Sequence, residues 1–376
     1  GETVGCYVDQ SVWKQLIPYL KGYVTHVIVK GDTIWNIAGA YGTTQEAVLR
    51  ANPSIQVNAL QPGMRIYVPL AFPLVSEEVA YTSILLSFII VGLRIRYPFL
   101  TIGNIGTSVM EKEIPYIRIG TGATEVFYNA SFHANEWITT PLLLKFAEEY
   151  ASAYAQNGII NGEIASSLYD TYSLYLVPMV NPDGVDLVNG VLGNARYEQQ
   201  AKIIAAQYPD IPYPDGWKAN IDGVDLNLQF PAGWEQARTI KFSQGYTTPA
   251  PRDYVGEAPL TAIESINVYE FTRMHDFRLI IAYHTQGEVI YWKYMDYEPD
   301  KSRQIAQYFG NVSGYAVEET PTESGYAGYK DWFIQEYDRP GYTIEAGLGV
   351  NPLSMEQFPQ IYRDNYYILV GGMTQI

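Results

Sequence analysis

Two stretches of this chain are apolar almost without a break: Ser173-Leu-Tyr-Leu-Val-Pro-Met-Val180 and Phe277-Arg-Leu-Ile-Ile-Ala-Tyr283. A strand with one face in water alternates polar and apolar side chains, whereas an unbroken apolar strand must be covered on both faces. That requirement points to an α/β fold, a sheet flanked by helices. Ile114–Ile119 and Val126–Ala130 read as further strands, and Pro141–Ala153 reads as a helix with Leu142, Leu143, Phe146 and Tyr150 at helical spacing.

Composition narrows the function. The 376 residues suffice for two or three domains, and 47% hydrophobic against 17% charged residues is a core-forming balance. The net charge of −16 disfavours nucleic acid as a partner, because phosphates select Lys and Arg. Cys6 is the single cysteine, which excludes an intrachain disulfide, a cysteine zinc site and an iron–sulfur cluster. The longest apolar run, Ile84–Leu93, is too short to span a bilayer and reads as a buried helix. No signal-peptide pattern precedes it, and the chain opens at Gly1, so export stays open. The 33 tyrosines suit glycan and peptide surfaces as well as an ordinary protein surface.

Residues 25–69 form a compact unit. His26–Lys30 alternates as a strand, and Gly31-Asp32 turns the chain. Asp32 or Thr33 caps a helix whose apolar face is Trp35, Ile37, Ala38 and Tyr41. Thr43 or Thr44 caps a second helix that stops at Asn52-Pro53, and Arg65–Pro69 is a second strand after the Gln61-Pro-Gly63 turn. This βααβ unit resembles the LysM module through Val27–Val29, Gly31–Ala38, Ala51-Asn-Pro53, Leu60, Gly63 and Ile66–Pro69. The resemblance implies binding to a glycan containing N-acetylglucosamine. The expected organisation is an N-terminal segment 1–24, read as the remnant of a preceding module, with a helical turn or two at Ser11–Leu20. A LysM module at 25–70 and a catalytic domain at 79–376 follow.

Of the four histidines, His26 reads as structural and His275 as a capping or surface group. His133 follows a strand, and Glu136 at i+3 shares one side of the turn; imidazole plus carboxylate suits Zn²⁺. His284 ends an apolar strand, where α/β sheets bind ligands. Glu345, in Gly341-Tyr-Thr-Ile-Glu345-Ala-Gly, is a carboxylate at another strand end and needs a partner.

These residues, with Asn181-Pro-Asp-Gly184 and Gly223-Val-Asp-Leu-Asn227, resemble the M14 metallocarboxypeptidase family over roughly residues 81–376. The resemblance implies a mixed eight-stranded sheet flanked by helices. It implies one Zn²⁺ per chain on His133, Glu136 and His284, with Asp225 behind His133, Glu345 as general base and Lys218 as the oxyanion-stabilising cation. The chain also departs from the family. Asn135 replaces an arginine of the first motif, and Leu228 follows Asn227 where the family keeps the arginine that clamps a free C-terminal carboxylate. Leucine cannot make that bidentate pair. At the family's mobile tyrosine the chain offers Tyr326 or Glu323.

An M14-type domain behind LysM, lacking the carboxylate clamp, resembles the bacterial γ-D-glutamyl-L-diamino-acid endopeptidases. That resemblance implies cleavage of peptidoglycan stem peptides between γ-D-glutamate and meso-diaminopimelate or Lys. It also implies a place in the cell wall, the spore envelope or the medium, with a cytoplasmic form as the other case. The alternatives are a zinc carboxypeptidase acting on ordinary C-termini, and an inactive wall-binding protein.

Overall fold

The computed structural model describes residues 21–376 together with Pro18. The N-terminal segment up to residue 20, and with it the helical turn read at Ser11–Leu20, therefore lies outside the described residues apart from Pro18. Strand β1 (Tyr23–Val27) pairs antiparallel with β2 (Arg65–Pro69), Val27 opposite Arg65. Pairing continues one step further, with Ile28 N–H donating to Met64 O at 2.8 Å. The first strand thus sits a few residues earlier than the alternation suggests. Between the strands run the helices Ile34–Tyr41 and Gln45–Ala51. Thr33 caps the first: its hydroxyl accepts from Asn36 N, and Asn36 Oδ1 accepts from Thr33 N. Thr44 caps the second. Ile28, Ile34, Ile37, Ala38, Val48, Ile66 and Val68 make a core of their own. Trp35, read as part of the apolar face, is 72% exposed. The face that packs is 34, 37, 38 and 41, and position 35 falls off that stripe. His26 is structural: its ring bonds Asp32 at 2.8 Å and Tyr41 at 2.9 Å.

The larger sheet contains β3 (Thr101–Thr107), β4 (Glu113–Ile119), β5 (Thr124–Ala130), β8 (Tyr172–Val177), β9 (Phe277–Thr285), β10 (Val289–Tyr291), β11 (Ala316–Glu318) and β12 (Gly341–Ala346). A two-stranded ribbon, β6 (Ile159–Ile160) with β7 (Glu163–Ile164), stands apart from it. The eight strands run in the order β11-β10-β12-β9-β5-β8-β4-β3. β12, β9, β5 and β8 are mutually parallel, while β4 joins β8 antiparallel. In β9, Leu279, Ile281 and Tyr283 join the core on one face, and Ile280 and Ala282 join the core on the other. This two-sided burial is what the unbroken apolar run requires. β8 stops at Val177, short of the predicted Val180, because Pro178 offers no N–H to continue the ladder. Helices Ser83–Arg96, Thr139–Ala155, Ser302–Ser313 and Phe358–Thr374 cover the first face, and Ile263–Arg273 and Tyr329–Tyr337 cover the second. His275 is neither a cap nor free: it pairs with Glu125 at 2.9 Å and stacks on Phe277.

One buried ion pair ties the small unit to the large one. Arg96 donates to Gly22 O through Nε (3.1 Å) and Nη2 (3.0 Å), and its Nη1 lies 3.8 Å from Glu148 Oε2. Glu148 in turn accepts from Leu74 N and Val75 N. Gly22 has φ +75°, and a Cβ there would come within 2.1 Å of Leu74, so the close approach requires glycine. A second buried carboxylate shapes the turn that leads to the site. Asn220 Oδ1 accepts from Asp222 N and Val224 N, and its Nδ2 donates to Glu264 Oε2 at 3.2 Å. Burial pushes the Glu264 carboxyl up to about 7, and nearby Asp183 adds to the rise.

Two outcomes follow. Glu148→Ala strips the acceptor from two backbone N–H groups and leaves Arg96 buried without its anion; denaturant unfolding should show a loss of about 3 kcal/mol. For Glu264 the folded carboxyl holds its proton more tightly than the unfolded one. Its contribution is therefore full below the unfolded value of about 4.5 and is lost as pH rises to about 7. Glu264→Gln should remove that slope. The difference between variant and wild type in urea melts should change by roughly 3 kcal/mol between pH 4.5 and 8, and parallel curves would refute the assignment.

Candidate metal centre and cleft

The site lies at the carboxyl ends of the central parallel strands. β9 and β12 pair in a register that sets His284 directly beside Glu345. β5 ends at Ala130, and the chain turns through Ser131, at φ +54°, whose N–H and hydroxyl are held by Thr139 and Thr140. Asn181 Nδ2 donates to Phe132 O and Ala219 O. His133 then precedes a single 3₁₀ turn, Ala134–Glu136, which brings Glu136 round beside it.

His133 Nδ1 lies 2.8 Å from Glu136 Oε2, and His284 Nδ1 lies 3.1 Å from Glu136 Oε1 and 3.3 Å from His133 Nδ1. The donor atoms of all three residues lie within 4.8 Å of one another. Two ring nitrogens and a carboxylate aimed at one point are a nitrogen/oxygen donor set of the kind Zn²⁺ takes. Asp225 sits behind His133, its Oδ1 2.9 Å from Nε2, which fixes the ring and leaves Nδ1 for the metal side. The electrostatics agree. Burial favours a neutral His133, but the Glu136 and Asp225 carboxylates outweigh it and push the ring up to about 10. The cluster thus attracts positive charge, which a divalent cation would supply. Burial alone would raise Glu136; His133 and Lys218, whose Nζ is 3.3 Å away, hold it well below the usual carboxylate range.

Glu345 behaves in the opposite way. Burial raises its carboxyl above the usual range, His284 opposes the rise and Glu136 adds to it. Among the described residues its carboxylate accepts no hydrogen bond. Two carboxyls pushed apart within one cleft are the pattern of acid–base work. His133, His284 and Glu345 line a cavity of about 200 Å³ that opens into a wider cleft.

The other expected residues divide. Lys218, Asp225, Asn227 and Leu228 line the cavity. Asn227 Oδ1 is held by Tyr329 N, and Leu228 is buried against Trp234, Val255 and Ala327. Asn135 lines the wider cleft, its Nδ2 bound to Asp215 O. Tyr326 packs against the Leu228 cluster, and Glu323 sits exposed on a single turn; neither lines the cavity, whose wall there is Thr320 and Ser324. Sequence reasoning did not find Lys241, Arg252, Asp253, Lys330 and Asp331, all on the cavity wall. Asp253 accepts from Lys241 Nζ at 2.8 Å and from Arg252 Nε at 2.6 Å. The one local signal was an Arg-Asp pair in the proline-broken segment Thr247–Asp253.

The sequence profile of the zinc carboxypeptidases, peptidase family M14, matches residues 89–367, and that of the LysM domain matches residues 26–69. The chain is 44% identical to gamma-D-glutamyl-L-diamino acid endopeptidase 1 of Lysinibacillus sphaericus, over 92% of this chain and 99% of that one. It is 42% identical to the uncharacterized protein YqgT of Bacillus subtilis (strain 168), over 73% and 72%. Among solved structures, the carboxypeptidase A of Helicoverpa armigera superposes with a TM-score of 0.59 at 19% identity, over 79% of this chain and 73% of that one, a likeness of fold. Sheet, donor set and profiles agree: the chain belongs to the M14 zinc carboxypeptidase family of metallopeptidases and carries a LysM domain ahead of the peptidase fold.

Proposed function

We propose that the protein hydrolyses the bond between γ-D-glutamate and meso-diaminopimelate, or Lys, in peptidoglycan stem peptides. A LysM module at residues 25–70 would hold it on wall glycan containing N-acetylglucosamine, and residues 79–376 would carry the chemistry. The observation that carries the reading is the cavity itself. Glu345 faces the donor cluster, while buried Leu228 occupies the wall position at which the family resemblance calls for the carboxylate-clamping arginine. The extended similarity to an endopeptidase named for this bond supports it. A wall-associated or secreted location fits both parts.

His133, Glu136 and His284 would hold Zn²⁺, which when bound acidifies water and polarises a carbonyl. Glu345 takes the proton of the attacking water. Its raised carboxyl suits a group that must then return that proton to the leaving amine. Lys218 donates to the carbonyl oxygen as negative charge builds there. Asp225 keeps His133 in one tautomer, and Asn135 and Asn227 position the substrate.

Glu345→Gln should abolish turnover and leave metal content unchanged by elemental analysis; substantial activity in this variant would remove Glu345 from the mechanism. Asp225→Asn should weaken zinc about 10- to 100-fold in a chelator competition. The reading as a whole is tested by mass spectrometry of L-Ala-γ-D-Glu-meso-diaminopimelate digests. L-Ala-D-Glu should appear, vanish with chelator and return with Zn²⁺. No cleavage here, with clean trimming of ordinary C-termini, would make the protein a carboxypeptidase.

A further inference from the structure

The cleft wall carries four cations, and the ammonium groups of three of them already have a partner or an assigned role. Lys218 pairs with Glu136, and Lys241 pairs with Asp253. Lys330 donates to Lys293 O and Thr320 Oγ1 and forms an ion pair with Asp331. Arg252 differs. Its Nε is bound to Asp253, but among the described residues its two terminal nitrogens have no hydrogen-bond partner. Its side chain is 41% exposed and lines both the cavity beside Glu345 and the wider cleft.

The guanidinium is also well placed. Lys218 N and Ala219 N both donate to Pro251 O, at 2.8 and 2.9 Å, so the segment bearing Lys218 is bonded to the segment bearing Arg252. Asp253 N donates to Asp225 Oδ2 at 3.1 Å, which fixes the loop from the other side. A guanidinium edge without a hydrogen-bond partner among the described residues therefore lines the same cavity as Lys218, the group assigned to the scissile carbonyl oxygen. A planar fork of two N–H donors fits a carboxylate.

We propose that Arg252 binds the free α-carboxylate that a γ-linked glutamyl residue carries a short methylene spacer from the scissile carbonyl. The inference rests on the proposed function and adds to it a means of telling γ- from α-linked peptides. An ordinary peptide has spent its α-carboxyl in the bond and offers no such anion on the acyl side. Leu228 offers that anion no donor.

The test uses the full zinc-loaded protein and two peptides, L-Ala-γ-D-Glu-meso-diaminopimelate and the same peptide with D-isoglutamine, whose α-carboxylate is an amide. Wild type should favour the carboxylate in kcat/KM by about tenfold, the lower range for a charge-assisted pair because the guanidinium stays partly solvated. Arg252→Met should bring that ratio near one without changing the melting temperature, and Arg252→Lys should retain part of it. Calorimetric binding of L-Ala-D-Glu against L-Ala-D-isoglutamine to wild type reads the same preference without turnover, so the inference stays testable if the methionine variant does not fold. A third peptide, amidated at the diaminopimelate α-carboxylate, separates the two sides of the bond. A wild-type ratio near one, an unchanged ratio in Arg252→Met, or a loss that follows the third peptide instead would each overturn the inference while leaving the proposed function standing. No cleavage of any of the three by wild type would overturn the proposed function and this inference with it.

Discussion

His284 and Glu345 are register partners on neighbouring parallel strands, and β5 delivers His133 on the other side of the same strand end. Side chains along a strand alternate between faces, so a slip of one residue would turn either group away from the cleft. The register is held from below. Ile280 to Tyr283 on β9 and Tyr342 to Ile344 on β12 are buried between helical layers, and displacing them would expose apolar surface on both sides. The position of three groups at the site is thus set by the packing of residues that touch no substrate.

Charge is distributed unevenly over this frame. The chain carries a net −16, yet the cleft wall gathers Lys218, Lys241, Arg252 and Lys330. Buried cations are costly unless paired, and each of these four has a carboxylate partner: Glu136 for Lys218, Asp253 for both Lys241 and Arg252, and Asp331 for Lys330. Glu136 is held ionised by its neighbours while Glu345 is pushed towards its protonated form. One cleft therefore holds one carboxylate fit to bind a cation and another fit to exchange a proton. The difference comes from placement, since the two side chains are the same.

Local patterns carried the fold a long way. Unbroken apolar runs revealed the covered sheet, and Thr33 and Thr44 cap the helices that the sequence places after them. The donor set was legible because only four histidines compete for it, and two of them stand at the ends of apolar strands. Failures came where tertiary contact decides. Pro178 ended a strand that hydropathy would have continued, and Trp35 left a helix face by one position. His133 and Asp225 are 92 residues apart, and no periodicity links them; the family resemblance alone did. Arg252 and Asp253 lie on a loop whose placement depends on Pro251, Asp225 and Lys241, so nothing in their own neighbourhood marks them as part of the cleft.

Asp225 is shared. One oxygen faces His133 and also accepts from Asn227 N, and the other accepts from Asp253 N. Two other stretches of chain, those of His133 and Asp253, are thereby pinned to the carboxylate that also caps its own turn through Asn227 N, like spokes on one hub. A tilt of that carboxylate cannot serve one spoke without straining the other two. The loop bearing Arg252 and the ring of His133 consequently share one support, so the rim of the cleft and the candidate metal donors at its floor are built on the same carboxylate.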